Sequence, residues 1–151
     1  MLSDTDRRIL RHLQTDPSLT SAELSERCGL SASACWRRVE RMQAQGILRG
    51  QHAIINWAAL GWEVEVSLRF TIDKTNPRAF DEFLAAARAV REVTEIQTFL
   101  GRVDVRLHVI ARDMAHYQQI YREKILTLPH IADIEALMQV AVIAEDESLP
   151  I

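Results

Sequence analysis

The sequence contains little cysteine, almost no lysine and no long apolar run. Two cysteines in 151 residues are too few for a disulfide framework, so we expect a reduced, cytoplasmic setting. No apolar run approaches the roughly 20 residues that span a bilayer, and the first eight residues lack the apolar core of a signal peptide. We therefore expect neither membrane insertion nor export. The hydrophobic fraction of 48% nevertheless excludes a disordered chain and allows one ordinary domain or two small ones.

The basic residues are sixteen arginines and only two lysines, and they are unevenly distributed. Residues 1–50 carry eight arginines and six acids, a net charge of +2, whereas residues 51–151 have a net charge of −5. Within residues 31–50, four arginines accompany a single acid. The planar guanidinium group suits bidentate contacts with phosphate and guanine. The overall charge of −3 thus conceals a basic N-terminal third, in which we look first for nucleic-acid contacts.

The N-terminal third has the pattern of three helices. Apolar residues recur at helical spacing over residues 2–13 and predict the first helix. Thr20 and Glu23 form a capping box that opens a second, short helix, and Gly29 is placed to end it in a left-handed conformation. Ser31 is placed to cap a third, longer helix. A short helix, a glycine turn and a longer helix are typical of a helix-turn-helix motif.

The third helix separates into an apolar and a basic face when it is projected at 100° per residue. Cys35, Val39 and Met42 are expected to face the core, and Trp36 either packs on a neighbouring helix or lies on the DNA backbone. A hairpin over residues 46–55 is expected to follow as a wing. The outward face suits insertion into a major groove. The candidate DNA-contacting residues are Ser31, Ser33, Trp36, Arg37, Arg38, Arg41, Arg49 and Gln51.

The remaining sequence predicts an α+β fold. Polar and apolar residues alternate over residues 63–72, as in a half-buried strand. The elements that follow complete the order β-α-β-β-α-β, and the last of them is a strand over about residues 131–143. That order is the ferredoxin-like sandwich. One face of its sheet leaves apolar residues such as Phe99 and Leu137 uncovered, which favours a homodimer. We expect a winged helix-turn-helix domain over residues 1–50, a hinge strand or linker over residues 51–62, and the sandwich domain over residues 63–151.

Several segments, in order and spacing, resemble the Lrp/AsnC (leucine-responsive, or feast/famine) family of transcriptional regulators along essentially the whole chain. The recognition-helix opening, Leu-Ser-x-Ser-x-Cys-Trp-Arg-Arg, resembles the branch with a Cys-Trp pair. The other matching segments are Leu2 to Leu10, Gly46 to Gly50, Leu60-Gly61, Gly101 with Asp104, Leu128-Pro129, and Ser148 to Ile151.

The resemblance implies a sequence-specific DNA-binding regulator whose C-terminal domain dimerises, commonly assembles into octamers, and binds an amino acid between dimers. The effector residues it implies are Leu100, Gly101, Arg102 and Asp104, with Glu135, Ala136 and Leu137 from a facing subunit. This chain lacks the two tyrosines that the family often has beside Asp104. That departure favours a different effector or none, and Arg102 with Arg106 favours an acidic one.

The other functional classes receive less support from the sequence. No nucleophile elbow, phosphate-binding glycine loop or HExxH motif is present, so we expect no enzyme, cofactor or metal site. A ferredoxin-like enzyme or ligand-binding module and a protein–protein adaptor remain as alternatives. We interpret Cys28 and Cys35 as small buried residues. The alternative is that Cys35 is a thiol sensor. The expected partners are double-stranded DNA and further copies of the chain, in the cytoplasm and associated with the nucleoid.

Overall fold

The computed structural model describes residues 2–144 and 148–151, which form two compact units. One unit contains residues 2–54 together with 144 and 148–151, and the other spans Ile55–Ile143. The N-terminal unit is therefore discontinuous in sequence. Among the described residues, no helix is both long and apolar enough to span a membrane.

The N-terminal unit is a three-helix bundle: α1 (Asp4–Thr15), α2 (Ser21–Cys28) and α3 (Ala32–Ala44). Local hydrogen bonds set their starts, because Ser3, Thr20 and Ser31 each accept a backbone N–H from the first turn, as the sequence predicts for Thr20 and Ser31. Gly29 ends α2 at a φ of 64°, a conformation that favours glycine. The core combines all three helices: Ile9, Leu10, Leu13, Leu24, Cys28, Cys35 and Met42 are buried.

The hairpin predicted over residues 46–55 is not formed. The backbone N–H groups of Ile47 and Leu48 both donate to the carbonyl of Met42, at 2.9 and 3.2 Å, so the chain folds back on the end of α3. Only Arg49 then separates this turn from Gly50, and a two-stranded hairpin with so short a first strand is marginal in isolation. The segment expected as a hinge strand contains no strand in the described residues and ends in a 3₁₀ turn at Ala58–Leu60.

The C-terminal unit has the predicted order β-α-β-β-α-β. Its elements are β1 (Val64–Ile72), α4 (Ala79–Arg88), β2 (Val93–Thr98), β3 (Val105–Ala111), α5 (Met114–Ile120) continued by a π-helical turn (Tyr121–Ile125), and β4 (Ile131–Met138). The four strands pair antiparallel in the order β2-β3-β1-β4. Alternate residues of β1 and β3 are buried in the core with residues of both helices.

The other face of this sheet is polar and half-exposed. Polar side chains of neighbouring strands form cross-strand pairs: Arg69–Glu135 at 3.6 Å, Arg106–Glu95 at 3.3 Å, and a contact between His108 Nε2 and Glu65 at 3.0 Å. Phe99 and Leu137 remain 45% and 37% exposed, as predicted. The sheet therefore has one apolar, covered face and one charged, uncovered face with apolar residues at its margin.

Candidate DNA-binding interface and effector loop

The start of α3 is small, polar and exposed. The hydroxyl of Ser31 accepts the backbone N–H of Ala34 at 3.3 Å and lies 3.4 Å from the hydroxyl of Ser33. Both serines are exposed. Small side chains at the beginning of a helix allow close approach to a groove, and hydroxyl groups can donate to phosphate or to base edges. These two predicted residues are thus placed together at one end of an exposed helix face.

Arg38 and Arg41 are held by an acid on α1 rather than extending freely from α3. The Arg38 guanidinium donates to Asp6 Oδ1 at 2.9 Å, and Arg41 donates to both carboxylate oxygens at 2.9 and 2.8 Å. Ser3 donates to the same carboxylate through its backbone N–H and its hydroxyl. The two arginines therefore tie α3 to the first turn of α1.

Asp6 is almost completely buried, at 1% exposure, yet it is charged. Burial alone would raise its pKa, but hydrogen bonds from Ser3 and Arg38 and the positive charge of Arg41 lower the pKa from 3.8 to about 2. The Arg38 and Arg41 side chains keep 33% and 50% of their exposure. They can still contact a phosphate, but from fixed positions. The sequence shows the capping-box spacing of Asp6 from Ser3 but not its partners on α3.

Arg37 is the arginine of this group whose terminal nitrogens are not engaged by Asp6. It is exposed, and its Nε donates to the backbone carbonyl of Ser33 one turn earlier, at 3.3 Å. That bond directs the guanidinium along the face that carries Ser33. Arg49 and Gln51 are also exposed, in the turn and extended segment after α3, and the structure does not join them in a wing.

Trp36 contacts the protein on one side and solvent on the other. It is 51% exposed and lines an apolar cavity of about 410 Å³ within the N-terminal unit. Gly50 and Gln51 line the same cavity. Packing against the protein accounts for half of the indole, and the exposed half remains accessible to a ligand such as DNA.

The loop between β2 and β3 is fixed to the end of β1. Asp104 donates its backbone N–H to Phe70 at 2.9 Å, and its carboxylate Oδ2 accepts the backbone N–H of Ile72 at 2.9 Å. Thr71 donates its hydroxyl to the carbonyl of Arg102 at 3.1 Å. Gly101, at a φ of 150°, occupies a conformation that side chains disfavour.

The second oxygen of Asp104 is occupied by Lys74, whose Nζ lies 2.6 Å from Oδ1. Burial of this carboxyl would raise its pKa, but the hydrogen bond from Lys74, the N–H of Ile72 and the Lys74 charge lower it. Asp104 is thus a buried carboxylate with one partner on each oxygen, and it holds the loop. The family resemblance implies Asp104 as an effector residue, and no signal in the sequence indicates Lys74 as its partner.

The other predicted effector residues are exposed. Leu100 lies at the tip of the loop, fully accessible at 106% of its reference area, with Gly101 and Arg102 beside it. Glu135 and Leu137 lie on the charged face of the sheet, where Glu135 pairs with Arg69 at 3.6 Å. Ala136 lies opposite Leu68 in the register and is also exposed.

Comparison with known proteins identifies both units. Residues 2–49 match the model of winged helix-turn-helix DNA-binding domains, and residues 65–149 match that of the Lrp/AsnC ligand-binding domain. The chain belongs to the Lrp/AsnC family. It is 34% identical over 132 residues to the leucine-responsive regulatory protein of Salmonella typhimurium, which covers 87% of this chain and 80% of that relative. The corresponding Escherichia coli K12 protein is 33% identical over the same shares.

Solved structures agree along almost the entire chain. A transcriptional regulator from Neisseria meningitidis in complex with L-methionine has a TM-score of 0.91 at 29% identity, covering 99% of this chain and 97% of that one. An AsnC-family regulator from Agrobacterium tumefaciens has a TM-score of 0.88 at 29% identity over the same shares. The chain is therefore a DNA-binding transcriptional regulator of this family with a ligand-binding C-terminal domain.

Proposed function

We propose that this regulator reads duplex DNA with α3 and that Arg37, together with Ser31 and Ser33, contacts base edges. The observation that supports this assignment is that the arginines of α3 have different partners. Arg38 and Arg41 are fixed to Asp6, whereas Arg37 is exposed and directed along the serine face. An arginine in the major groove suits bidentate recognition of guanine.

The remaining candidate residues would position the protein on the backbone. Arg38 and Arg41 would contact phosphate with the exposed part of their side chains, and Arg49 and Gln51 would do so from the segment after α3. The exposed half of Trp36 would lie on a sugar. Contacts with phosphate and sugar fix the register of a protein on the duplex without specifying sequence.

Substitution of Arg37 by alanine tests this assignment. We expect R37A to weaken binding to the specific site by about 1–3 kcal/mol, with a much smaller loss on random duplex. R37K should retain little of the specificity, because a lysine cannot form the planar bidentate contact. Fluorescence anisotropy measures both affinities, with an operator selected from genomic fragments as the specific site. R91A, which removes an exposed arginine of the C-terminal unit, is the charge-matched control.

An equal loss on specific and random DNA would contradict base recognition and make Arg37 a phosphate contact. Binding should also weaken steeply as salt increases, because arginines displace condensed counterions. Absent or salt-insensitive binding by the wild type would instead favour a protein–protein adaptor.

We propose further that the C-terminal unit binds an amino acid against the exposed tip of the β2–β3 loop. The family model names this region a ligand-binding domain, and two similar structures, from Neisseria meningitidis and Mycobacterium tuberculosis, hold L-methionine. Space is open above Gly101. Because Asp104 is buried and already engages Lys74 and Ile72, the ammonium group of such a ligand would meet more accessible acceptors, such as the loop carbonyls. A thermal-shift screen of the twenty amino acids, led by L-methionine, tests the proposal, and no shift at millimolar ligand contradicts it.

The assembly that we propose is a dimer closed through the charged face of the sheet, with further association of dimers into an octamer. In such an assembly Glu135, Ala136 and Leu137 of one subunit would face the loop of another. The uncovered margin at Phe99 and Leu137 supports the dimer, and light scattering measures the assembly directly. We propose that the regulator acts on chromosomal DNA in the cytoplasm.

A further inference from the structure

The residues at the C-terminal end of the sequence bind α1 of the DNA-binding unit. The backbone N–H of Leu149 donates to Oε1 of Gln14 at 2.7 Å, and Nε2 of Gln14 donates to the carbonyl of Leu149 at 3.3 Å. A single side-chain amide thus satisfies both polar groups of one backbone residue, as a neighbouring strand would. The Leu149 side chain is 64% exposed, so α1 recognises the backbone at this position rather than the side chain.

Apolar packing accompanies these hydrogen bonds. Ile151 is partly buried against the core of the N-terminal unit, as are Leu2, Leu19 and Leu48. Its backbone N–H donates to the carbonyl of Leu149 at 2.8 Å, which bends the segment between the two contacts. Residues 148–151 therefore contribute to the unit through backbone and side chain together, and we call them the docking segment.

The docking segment changes how the two units are connected. The chain passes from the N-terminal to the C-terminal unit after Ile54 and returns after Ile143. The returning connection begins at β4, the strand that carries Glu135 and Leu137, and Ser148 lies ten positions after its last residue, Met138. A second stretch of chain thus leads from a strand with candidate effector residues to the docking segment, which is hydrogen-bonded to the first helix of the DNA-binding unit.

We propose that the docking segment couples β4 to α1, so that ligand binding in the C-terminal unit alters DNA affinity through this second connection. The coupling rests on the proposed function of the C-terminal unit. Its structural part, the bond between Gln14 and the backbone of Leu149, is independent of any ligand. The two parts are therefore tested separately.

A double-mutant cycle tests the docking. Q14A removes the side-chain amide and places a better helix former in α1, so a loss of stability cannot come from helix propensity. L149P removes the N–H that donates to Gln14, and L149A, which keeps it, is the matched control. We expect Q14A and L149P each to lower the thermal midpoint by roughly 2–4 °C and the double variant to lower it no further, with L149A unchanged. Additive losses would overturn the docking.

DNA-binding measurements with and without L-methionine then test the coupling. We expect the ligand-induced change in Kd to be at least about threefold smaller in Q14A and L149P than in the wild type and in L149A. If the ligand-induced change in Kd were undiminished in Q14A and L149P, while the thermal double-mutant cycle was non-additive, the coupling would be overturned but the docking would stand. A wild type that responds to none of the twenty amino acids would overturn the coupling together with the proposed effector, and the cycle alone would still decide the docking.

Discussion

Replacing Asp6 by asparagine should destabilise the DNA-binding unit, because this buried carboxylate joins α1 to α3. Asparagine is nearly isosteric and can still accept a hydrogen bond from Ser3. It removes the negative charge that faces Arg38 and Arg41 at 2.8–2.9 Å. The substitution therefore tests the charge with little change in packing.

The magnitude follows from the pKa of Asp6, which falls from 3.8 to about 2 on folding. A difference of one pKa unit corresponds to 1.36 kcal/mol, so the folded state favours the ionised carboxyl by about 2 kcal/mol. Breaking a fully buried ion pair typically costs about 3–5 kcal/mol. Arg38 and Arg41 are partly exposed and water hydrates them after the change, so we expect D6N to lose about 2 kcal/mol.

The effect should depend on pH with a definite sign. Because the pKa is lower in the folded state, the contribution of Asp6 is fully present above the unfolded value of 3.8 and is lost as the pH falls through about 2. Urea unfolding, followed by far-ultraviolet circular dichroism, should show a constant difference between wild type and D6N near neutral pH. That difference should shrink at pH values between about 4 and 2.

Asp4 supplies the control for this experiment. It is an exposed acid in the first turn of the same helix, so D4N changes the helix-terminal charge without touching α3. We expect D4N to lose much less stability than D6N. A loss in D6N that stayed the same at every pH would refute the ionic explanation and point to the cap or the packing instead.

Two further outcomes follow from buried groups. D104N should destabilise the C-terminal unit by about 1–3 kcal/mol, because it weakens the bonds to Lys74 and Ile72. The difference in stability between wild type and D104N should diminish under acid conditions, because the pKa of Asp104 is lowered on folding. Chemical unfolding at several pH values measures this difference. Cys28 and Cys35 should react with a disulfide reagent far more slowly in the folded protein than in urea, because both are buried and burial raises the pKa of both thiols. Fast reaction of Cys35 in the native state would support the alternative of a thiol sensor.

Helix starts were predictable from the sequence because capping is local. Thr20 and Glu23 need only each other: the backbone N–H of Thr20 donates to Glu23 at 2.8 Å, and that of Glu23 donates to the Thr20 hydroxyl at 3.3 Å. The same holds for the burial of Cys35 and Met42, since helical periodicity alone assigns them to one face. These local features of α2 and α3 appear in the structure as predicted.

Strand ends were less predictable because a strand needs a partner. Alternation predicts that the last strand continues to residue 143, yet β4 ends at Met138, opposite Val66. The carbonyl of Glu65 accepts one more bond, from Gln139 at 2.9 Å. Beyond that point β1 has only its first residue, Val64, left, so most of the apolar residues that follow have no strand to pair with, and Val140 is 96% exposed. Sequence periodicity contains no information on where the neighbouring strand stops.

The roles of charged side chains were the least predictable part of the site. Arginine positions were evident, but Asp6 is 32 residues from Arg38 and 35 from Arg41 in sequence. Asp104 and Lys74 are similarly brought together only by the fold. The sequence shows which residues carry a charge, but only the fold shows whether that charge is already paired within the protein.

Contacts with Asp6 divide the arginines of α3, because helical spacing alone does not. Arg41 is three positions after Arg38 and four after Arg37, so it lies between them around the helix, and its hydrogen bonds to Asp6 direct it to the side of Arg38. The excess of arginine in residues 31–50 therefore overstates the charge available to DNA, since Asp6 offsets part of it. One α3 with a single uncommitted arginine reads few base pairs. Specific binding to a long site then requires at least two such helices on one duplex, and this requirement favours a symmetric oligomer over a single chain.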